Sequence, residues 1–320
     1  MHLVAATADS KMSDDLNNQL LDPDAQFYVA VMYDFGNGVN QNLCEAVRWY
    51  QLAAEQGHAD AQFNLGNMYS KGTGCLQDDN EAAHWYRMSA EAGNTEAQFN
   101  LGCMFREGKG LDRNYVEARR WFEYAATQGE TKAQINLALM CLNGEGSQED
   151  DEEAIKWLLM AAEQGDARAQ YLLGYKYENT NCDLRDMLEA ERWYLLSADQ
   201  GYSNAQFALG NLYSSGESLI PQNIAEAVKW YRRAAEQGDG AAQEALGFAY
   251  LLGNGVDRDL IEGYAWVTLA ALSAEDLDDR DEAKETQSEV KSLLNEAELE
   301  AAKQRGLELF KQFGPESDFP

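Results

Sequence analysis

All seven tryptophans of this chain occupy one position of a repeated unit: Trp49, Trp85, Trp121, Trp157, Trp193, Trp230 and Trp266, spaced 36, 36, 36, 36, 37 and 36 residues apart. The dipeptide Ala-Gln recurs in step at Ala25-Gln26, Ala61-Gln62, Ala97-Gln98, Ala133-Gln134, Ala169-Gln170, Ala205-Gln206 and Ala242-Gln243, with the one-residue insertion between the same two repeats. Two independent markers that share one period predict an array of structural repeats.

The second unit shows what is repeated. Ala61, Leu65 and Tyr69 fall at i, i+4 and i+8, along one face of a helix, here helix A. Gly66 on that helix offers a neighbour close access to the backbone, which must outweigh the ~1 kcal/mol that glycine costs in helix propensity. Gly72 and Gly74 end helix A. Ala82, Trp85 and Ser89/Ala90 then mark one face of helix B, and Gly93 provides a left-handed cap. Two short antiparallel helices cannot bury both apolar faces alone, so stacked neighbours must remove each tryptophan from water. The alternative use of the rings, as stacking platforms for single-stranded nucleic acid, needs interleaved basic residues, and this chain has the opposite charge.

The pattern Ala-Gln-x-x-Leu-Gly-x-x-Tyr-x-x-Gly-x-Gly, followed by Glu-Ala-x-x-Trp-Tyr-x-x-Ala-Ala-Glu-x-Gly, resembles the Sel1-like repeat family of the tetratricopeptide superfamily, in its bacterial form. Repeat two carries it at Ala61-Gln62, Leu65-Gly66, Tyr69, Gly72, Gly74, Glu81-Ala82, Trp85-Tyr86, Ala90 and Gly93, and repeat three matches nearly as well. The resemblance covers residues 24–274 and implies an all-α, right-handed α/α superhelical solenoid of about seven helix-turn-helix repeats. Residues 1–23 read as an N-terminal segment with a capping helix (Ser13, Leu16, Leu20), 275–313 as acidic capping helices (Val290, Leu293, Leu294, Ala297, Ala301) and 314–320 as a frayed tail. One continuous superhelix is expected, because a solenoid grows through nearest-neighbour packing.

Composition narrows function mainly by exclusion. No run of 18 apolar residues exists in the sequence, so no helical membrane insertion is expected. The net charge of −30 repels phosphate backbones and argues against nucleic acid as a partner. It fits three readings: solubility or adaptation to salt, a basic protein partner steered by long-range attraction, or imitation of nucleic acid. The first residues lack the charged and apolar regions of a signal peptide, so the cytoplasm is expected, or the periplasm if they are the remnant of a longer precursor.

Sites for chemistry are sparse. Cys44, Cys75, Cys103, Cys141 and Cys182 follow no spacing that recurs between repeats and are read as free thiols, with Cys103 and Cys141 packing on helix A as small apolar groups. Neither zinc nor another metal has a ligand set. Glu149-Asp150-Asp151-Glu152-Glu153 lacks the alternating spacing and glycine of a calcium loop and suits a helix N-terminus. His2 lies at the terminus, His58 and His84 are read as non-equivalent helix B positions, and two or more exposed imidazoles are expected among the three. The Gly-x-Gly elements lie between helices and lack the Lys-Ser/Thr of a phosphate loop, so they read as turns. No catalytic residue and no cofactor is assigned.

The tetratricopeptide resemblance implies that positions two, five, nine and twelve of helix A line a groove. Carried over, these include Phe63, Asn67 and Ser70 in repeat two; Phe99, Cys103 and Arg106 in repeat three; and Lys132, Ile135, Leu139 and Leu142 in repeat four. Repeat five gives Arg168, Tyr171, Tyr175 and Glu178, and repeat six Asn204, Phe207, Asn211 and Ser214. The fifth-position aromatics suit packing between repeats, which leaves Asn67, Arg106, Tyr175 and Asn211 as candidate partner-binding residues. The irregular turns, Asn179-Thr180-Asn181-Cys182 and Ser215-Gly216-Glu217-Ser218-Leu219-Ile220-Pro221, are expected side by side, with Leu219 and Ile220 exposed as a further contact site. The function expected is a non-catalytic, monomeric adaptor or scaffold that binds a protein or peptide, of basic character, in the groove. An immunity or inhibitor protein against a cationic toxin or enzyme is the alternative; a hydrolase, as in some cysteine-rich relatives, is the third.

Overall fold

The computed structural model describes residues 22–179, 186–216, 219–273 and 285–314. Among these the regular structure is helical, and packing divides the chain into two compact units, Met1–Met160 and Ala161–Pro320. In the first, helices A and B alternate as α1 (Pro23–Phe35), α2 (Leu43–Glu55), α3 (Ala59–Lys71), α4 (Asp79–Glu91), α5 (Thr95–Glu107), α6 (Tyr115–Thr127) and α7 (Thr131–Asn143); α8 (Asp151–Glu163) runs across the division. In the second follow α9 (Ala167–Asn179), α10 (Met187–Asp199), α11 (Ser203–Ser215), α12 (Ile224–Ala235), α13 (Gly240–Leu252), α14 (Leu260–Ser273) and α15 (Glu296–Phe313). The proposed N-terminal capping helix, His2 and Cys182 lie outside the described residues.

Each helix pair is closed by the same device. Helix B begins after Asn42, Asp78, Asn114, Asp150, Asp186, Asn223 or Asp259, whose side chain accepts from a backbone N–H of the first helical turn. The backbone N–H of that same residue donates to the last turn of helix A, at Tyr33, Tyr69, Phe105, Cys141, Tyr177, Tyr213 and Tyr250 respectively. Repeats five and six keep this closure, at 3.2 and 2.8 Å, although their turns differ in sequence and length. The first glycine of Gly-x-Gly caps helix A in the left-handed region, for example Gly72 at φ +67°. The second does more than turn: a Cβ on Gly110 would lie 2.1 Å from the carbonyl oxygen of Asp79, at the start of the preceding helix B. The turn is thus also a repeat-to-repeat junction.

The mid-helix glycine is filled by the residue after the tryptophan. A Cβ on Gly66, Gly102, Gly174 or Gly210 would meet the ring of Tyr86, Phe122, Tyr194 or Tyr231 at 2.4–2.7 Å. Repeat four carries Ala138 and the smaller Leu158 at the corresponding positions, both fully buried, whereas repeat one accommodates Ala30 with Tyr50. Trp85, Trp193, Trp230 and Trp266 are buried as expected, their indole N–H groups without hydrogen-bond partners; Trp49, Trp121 and Trp157 are partly buried.

The Ala-Gln marker has a hydrogen-bonding reason. Gln62, Gln98, Gln134, Gln170, Gln206 and Gln243 are buried, and each Nε2 donates at 3.0–3.1 Å to the carbonyl eight residues earlier, at the end of the preceding helix B. In return Gln26, Gln98, Gln170 and Gln206 accept at 2.7–2.8 Å from Gln56, Gln128, Gln200 and Gln237, which end the helix B of their own repeat. In repeat two the equivalent residue is Ala92, and Gln62 Oε1 is buried without a partner. Ala92 has ordinary right-handed backbone angles, φ −76° and ψ −3°, so a glutamine fits there. Ala92→Gln should therefore stabilise the fold by about 0.5–1.5 kcal/mol, read as a raised denaturation midpoint by circular dichroism; no rise would remove the pairing as a stabilising element.

Candidate functional site

The sequence-derived residues divide by unit and by role. In the first unit Asn67 Oδ1 accepts from the Tyr86 hydroxyl at 2.8 Å, because the ring over the Gly66 notch points its hydroxyl at the next residue of helix A. Arg106 is drawn into a repeat-to-repeat pair: Nε and Nη2 donate to the two carboxylate oxygens of Glu145 at 2.7 and 3.2 Å, and Nη1 donates to Asn136 at 3.1 Å. Fork-to-fork pairing uses the guanidinium's directional donors internally. Burial pushes the Cys103 thiol up to about 11, so it is protonated near neutrality and a poor nucleophile.

Two expectations need correction. His58 is not in helix B: it caps α3, with Nδ1 accepting from Ala61 N at 3.1 Å, stacks on Phe27 at 4.5 Å and is partly buried. His84 is exposed on α4. Leu219 is exposed, but Ile220 is 2% exposed and belongs to a core cluster with Met187, Leu212 and Trp230. The lengthened turn folds one of its two aliphatic side chains inward, since burying an isoleucine is worth about 1.5–3 kcal/mol. The neighbouring turn of repeat five, 180–185, lies outside the described residues, and with it the expected pairing of the two turns.

In the second unit the carried-over positions converge. Tyr171, Tyr175 and Glu178 of α9 and Asn204, Phe207 and Asn211 of α11 line one open cavity of about 420 Å³, together with Asn179, Tyr194, Ala208, Asp239 and Ala241. Its base is aromatic: Tyr171 lies 5.9 Å from Tyr194, and Phe207 lies 5.8 Å from Tyr231, between ring centroids. These fifth-position rings pack into the repeat core as expected. Its rim is exposed and polar, with Tyr175 at 48% exposure and Asn204 and Asn211 in water. Asn211 also accepts from the Tyr231 hydroxyl at 2.8 Å, the counterpart of the Asn67 bond. Glu178 accepts from the Tyr194 hydroxyl at 2.6 Å, and burial followed by this carboxylate holds that phenol well above its usual range.

One lining residue the sequence reading did not reach is Asp239. Asp239 caps α13 through Ala242 N at 2.9 Å and faces the cavity from a third helix. Tyr202 stands where other repeats place His58, Asn94, Glu130, Asp166 or Asp239 as a side-chain cap, but it caps nothing and sets its ring 5.4 Å from Tyr171. A capping position given to an aromatic was the legible signal. Among the described residues no cluster of three or more His, Cys, Asp or Glu is placed to hold a metal, and no helix is long and apolar enough to cross a membrane.

These features define a helical repeat protein with an aromatic-based cavity on the helix A side of its second unit. Seven consecutive stretches, residues 23–58, 59–94, 95–130, 131–166, 167–202, 203–239 and 240–274, match the Sel1 repeat. The chain belongs to the Sel1 repeat family, whose members generally mediate protein–protein interaction. A Sel1 repeat protein from Oxalobacter formigenes is 33% identical, with 82% of this chain and 76% of that one covered and a TM-score of 0.69. A protective antigen present in uropathogenic Escherichia coli strains, displaying an SLR fold, is 28% identical over 92% of this chain and 77% of its own, with a TM-score of 0.61. An immunity protein from Pseudomonas aeruginosa aligns at 23% identity over 67% of this chain and 82% of its own, but at a TM-score of 0.39, too low to carry a functional inference. No curated protein matches the chain.

The Arg106–Glu145 pair yields a test of the first unit. Arg106 holds the Glu145 carboxyl below its usual range through their hydrogen bonds. A carboxyl depressed in the folded state stabilises the fold above its unfolded-state pKa, and that contribution disappears as pH falls through the folded-state value. Arg106→Met should cost about 1–3 kcal/mol at neutral pH, and the gap from wild type should narrow as urea titrations are repeated at increasingly acid pH through the carboxylate range.

Proposed function

We propose that this chain is a non-catalytic interaction module that holds a segment of a protein partner in the cavity between α9, α11 and α13. The observation that supports this is the pairing, at one place, of buried rings that give apolar area with an exposed rim of tyrosine and amide side chains, the composition of peptide-recognition grooves. Tyr175 and Asn211 of the original candidates belong to it. Arg106 is engaged by Glu145 and Asn136, Asn67 lies in the first unit and is not part of the cavity lining, and Leu219 is left as an exposed residue on a separate turn.

The net charge of −30 favours a basic partner by speeding encounter and disfavouring acidic competitors. Such steering weakens as the Debye length falls from about 8 Å at physiological salt to about 3 Å at 1 M. The test uses the full chain as bait, with captured proteins identified by mass spectrometry. Tyr175→Ala combined with Asn204→Ala should leave helicity and melting intact yet reduce recovery of the specific partner by tenfold or more. Recovery equal to wild type would place the binding surface elsewhere and sink the cavity assignment.

A further inference from the structure

The cavity has a charge pattern that its peptide-binding role does not require. Glu178 and Asp239 contribute carboxylates from α9 and from the cap of α13, and the described lining residues include no lysine, arginine or histidine. Neither carboxylate forms an ion pair with a described residue, whereas Arg106 and Arg119 in the first unit are each matched to a glutamate of the following repeat. Asp239 is half-buried, and desolvation holds its carboxyl above the usual range. A desolvated carboxylate without a counter-charge is a cost that a ligand's cation can remove.

The rings point the same way. Tyr171 and Tyr175 both line the cavity, 6.5 Å apart between ring centroids with tilted planes, so tyrosine rings and carboxylate oxygens border the same open space. A cation over a tyrosine face gains from the ring quadrupole, and a guanidinium gains most broadly, because it stacks flat while its edge donates to carboxylate and amide oxygens.

Resting on the cavity assignment above, we infer that this cavity is a receptacle for a single arginine side chain of the partner segment. The guanidinium stacks on the tyrosine surface and donates to the Glu178 and Asp239 carboxylates, while Asn204 and Asn211 stand beside the flanking backbone. The occupant is a peptide side chain, because the cavity is open at its rim, where a chain can pass.

The full chain, with isotope-labelled tyrosines, is titrated by nuclear magnetic resonance at physiological salt with acetyl-Gly-Arg-Gly-amide and with its citrulline and lysine counterparts. Citrulline keeps the shape and removes the charge; lysine keeps the charge and removes the plane. The arginine peptide should shift the Tyr171 and Tyr175 signals in a saturable way, with the lysine peptide several-fold weaker and the citrulline peptide at least tenfold weaker. Glu178→Gln with Asp239→Asn, which keeps the acceptor for Tyr194 and a competent cap for α13, should weaken the arginine peptide at least tenfold. Glu149→Gln with Glu152→Gln, an equal change in net charge at α8, should leave it within twofold of wild type. Equal binding of citrulline or lysine, or equal losses in the two double variants, overturns the receptacle. The two readings separate cleanly: a partner that depends on Tyr175 and Asn204 yet binds the Glu178→Gln/Asp239→Asn chain as tightly as wild type keeps the groove and removes the arginine.

Discussion

The structure rests on a buried amide. From the second repeat onward the glutamine of each Ala-Gln pair sits where one repeat meets the one before it, and its Nε2 donates to a helix-end carbonyl that also accepts the backbone N–H of the glycine three residues on. Where a second glutamine follows about thirty residues later, the same amide also accepts, so one side chain ties a helix A to the helix B before it and to the helix B of its own repeat. A buried polar group left unpaired costs about 1–3 kcal/mol. The bond therefore fixes the distance between helices as much as it holds them together, and the apolar packing is built to that spacing.

Two further features follow from it. With the helix ends set, helix A and helix B approach so closely that in four repeats a glycine makes room for the ring after the tryptophan, as at Gly102 and Phe122, while repeat one fits Tyr50 beside Ala30. The hydroxyl of that ring, where it has one, emerges on the helix A side and meets Asp34, Asn67, Asn211 or Glu178. The candidate surface is thus coupled to the core by single hydrogen bonds. Asn211 and Glu178 orient a buried tyrosine while lining the cavity, and substitutions there disturb both.

Most of the architecture was legible because it depends on periodicity: the helix pair follows from residues four to eight apart, and the seven-fold repetition from the 36-residue spacing of the tryptophans and the Ala-Gln pairs. The Ala-Gln marker was visible as a rhythm but not as a bond, since its acceptor is chosen by the packing of two helices. The tryptophans were read as the pegs of the fold, yet it is the next residue that fills the glycine notch, a distinction set by the direction in which helix B faces. The pairing of Arg106 was not legible because its partner Glu145 lies on the turn of the following repeat, 39 residues away. His58 stands three residues past the end of α2 at Glu55, enough to make it a cap of the next helix. For the cavity, the family positions identified Tyr171, Tyr175, Glu178, Asn204, Phe207 and Asn211, and missed Asp239 because it belongs to the start of the next helix.

The closure of each helix pair has a consequence for how such a chain can change. In repeat six the sequence holds one extra residue, and the glutamine partners stand 31 apart instead of 30, yet the bond from Asn223 to Tyr213 and the amide pair of Gln206 and Gln237 are both made. The turn absorbs the difference and the helices do not register it. Length is therefore adjustable in one place and quantised elsewhere: a turn can take in an extra residue, but the array itself lengthens or shortens in whole repeats, because that step returns every donor to an equivalent acceptor. Diversification in a protein of this build is channelled to the turns and to the exposed positions of helix A, and the rest of the sequence is held by its neighbours.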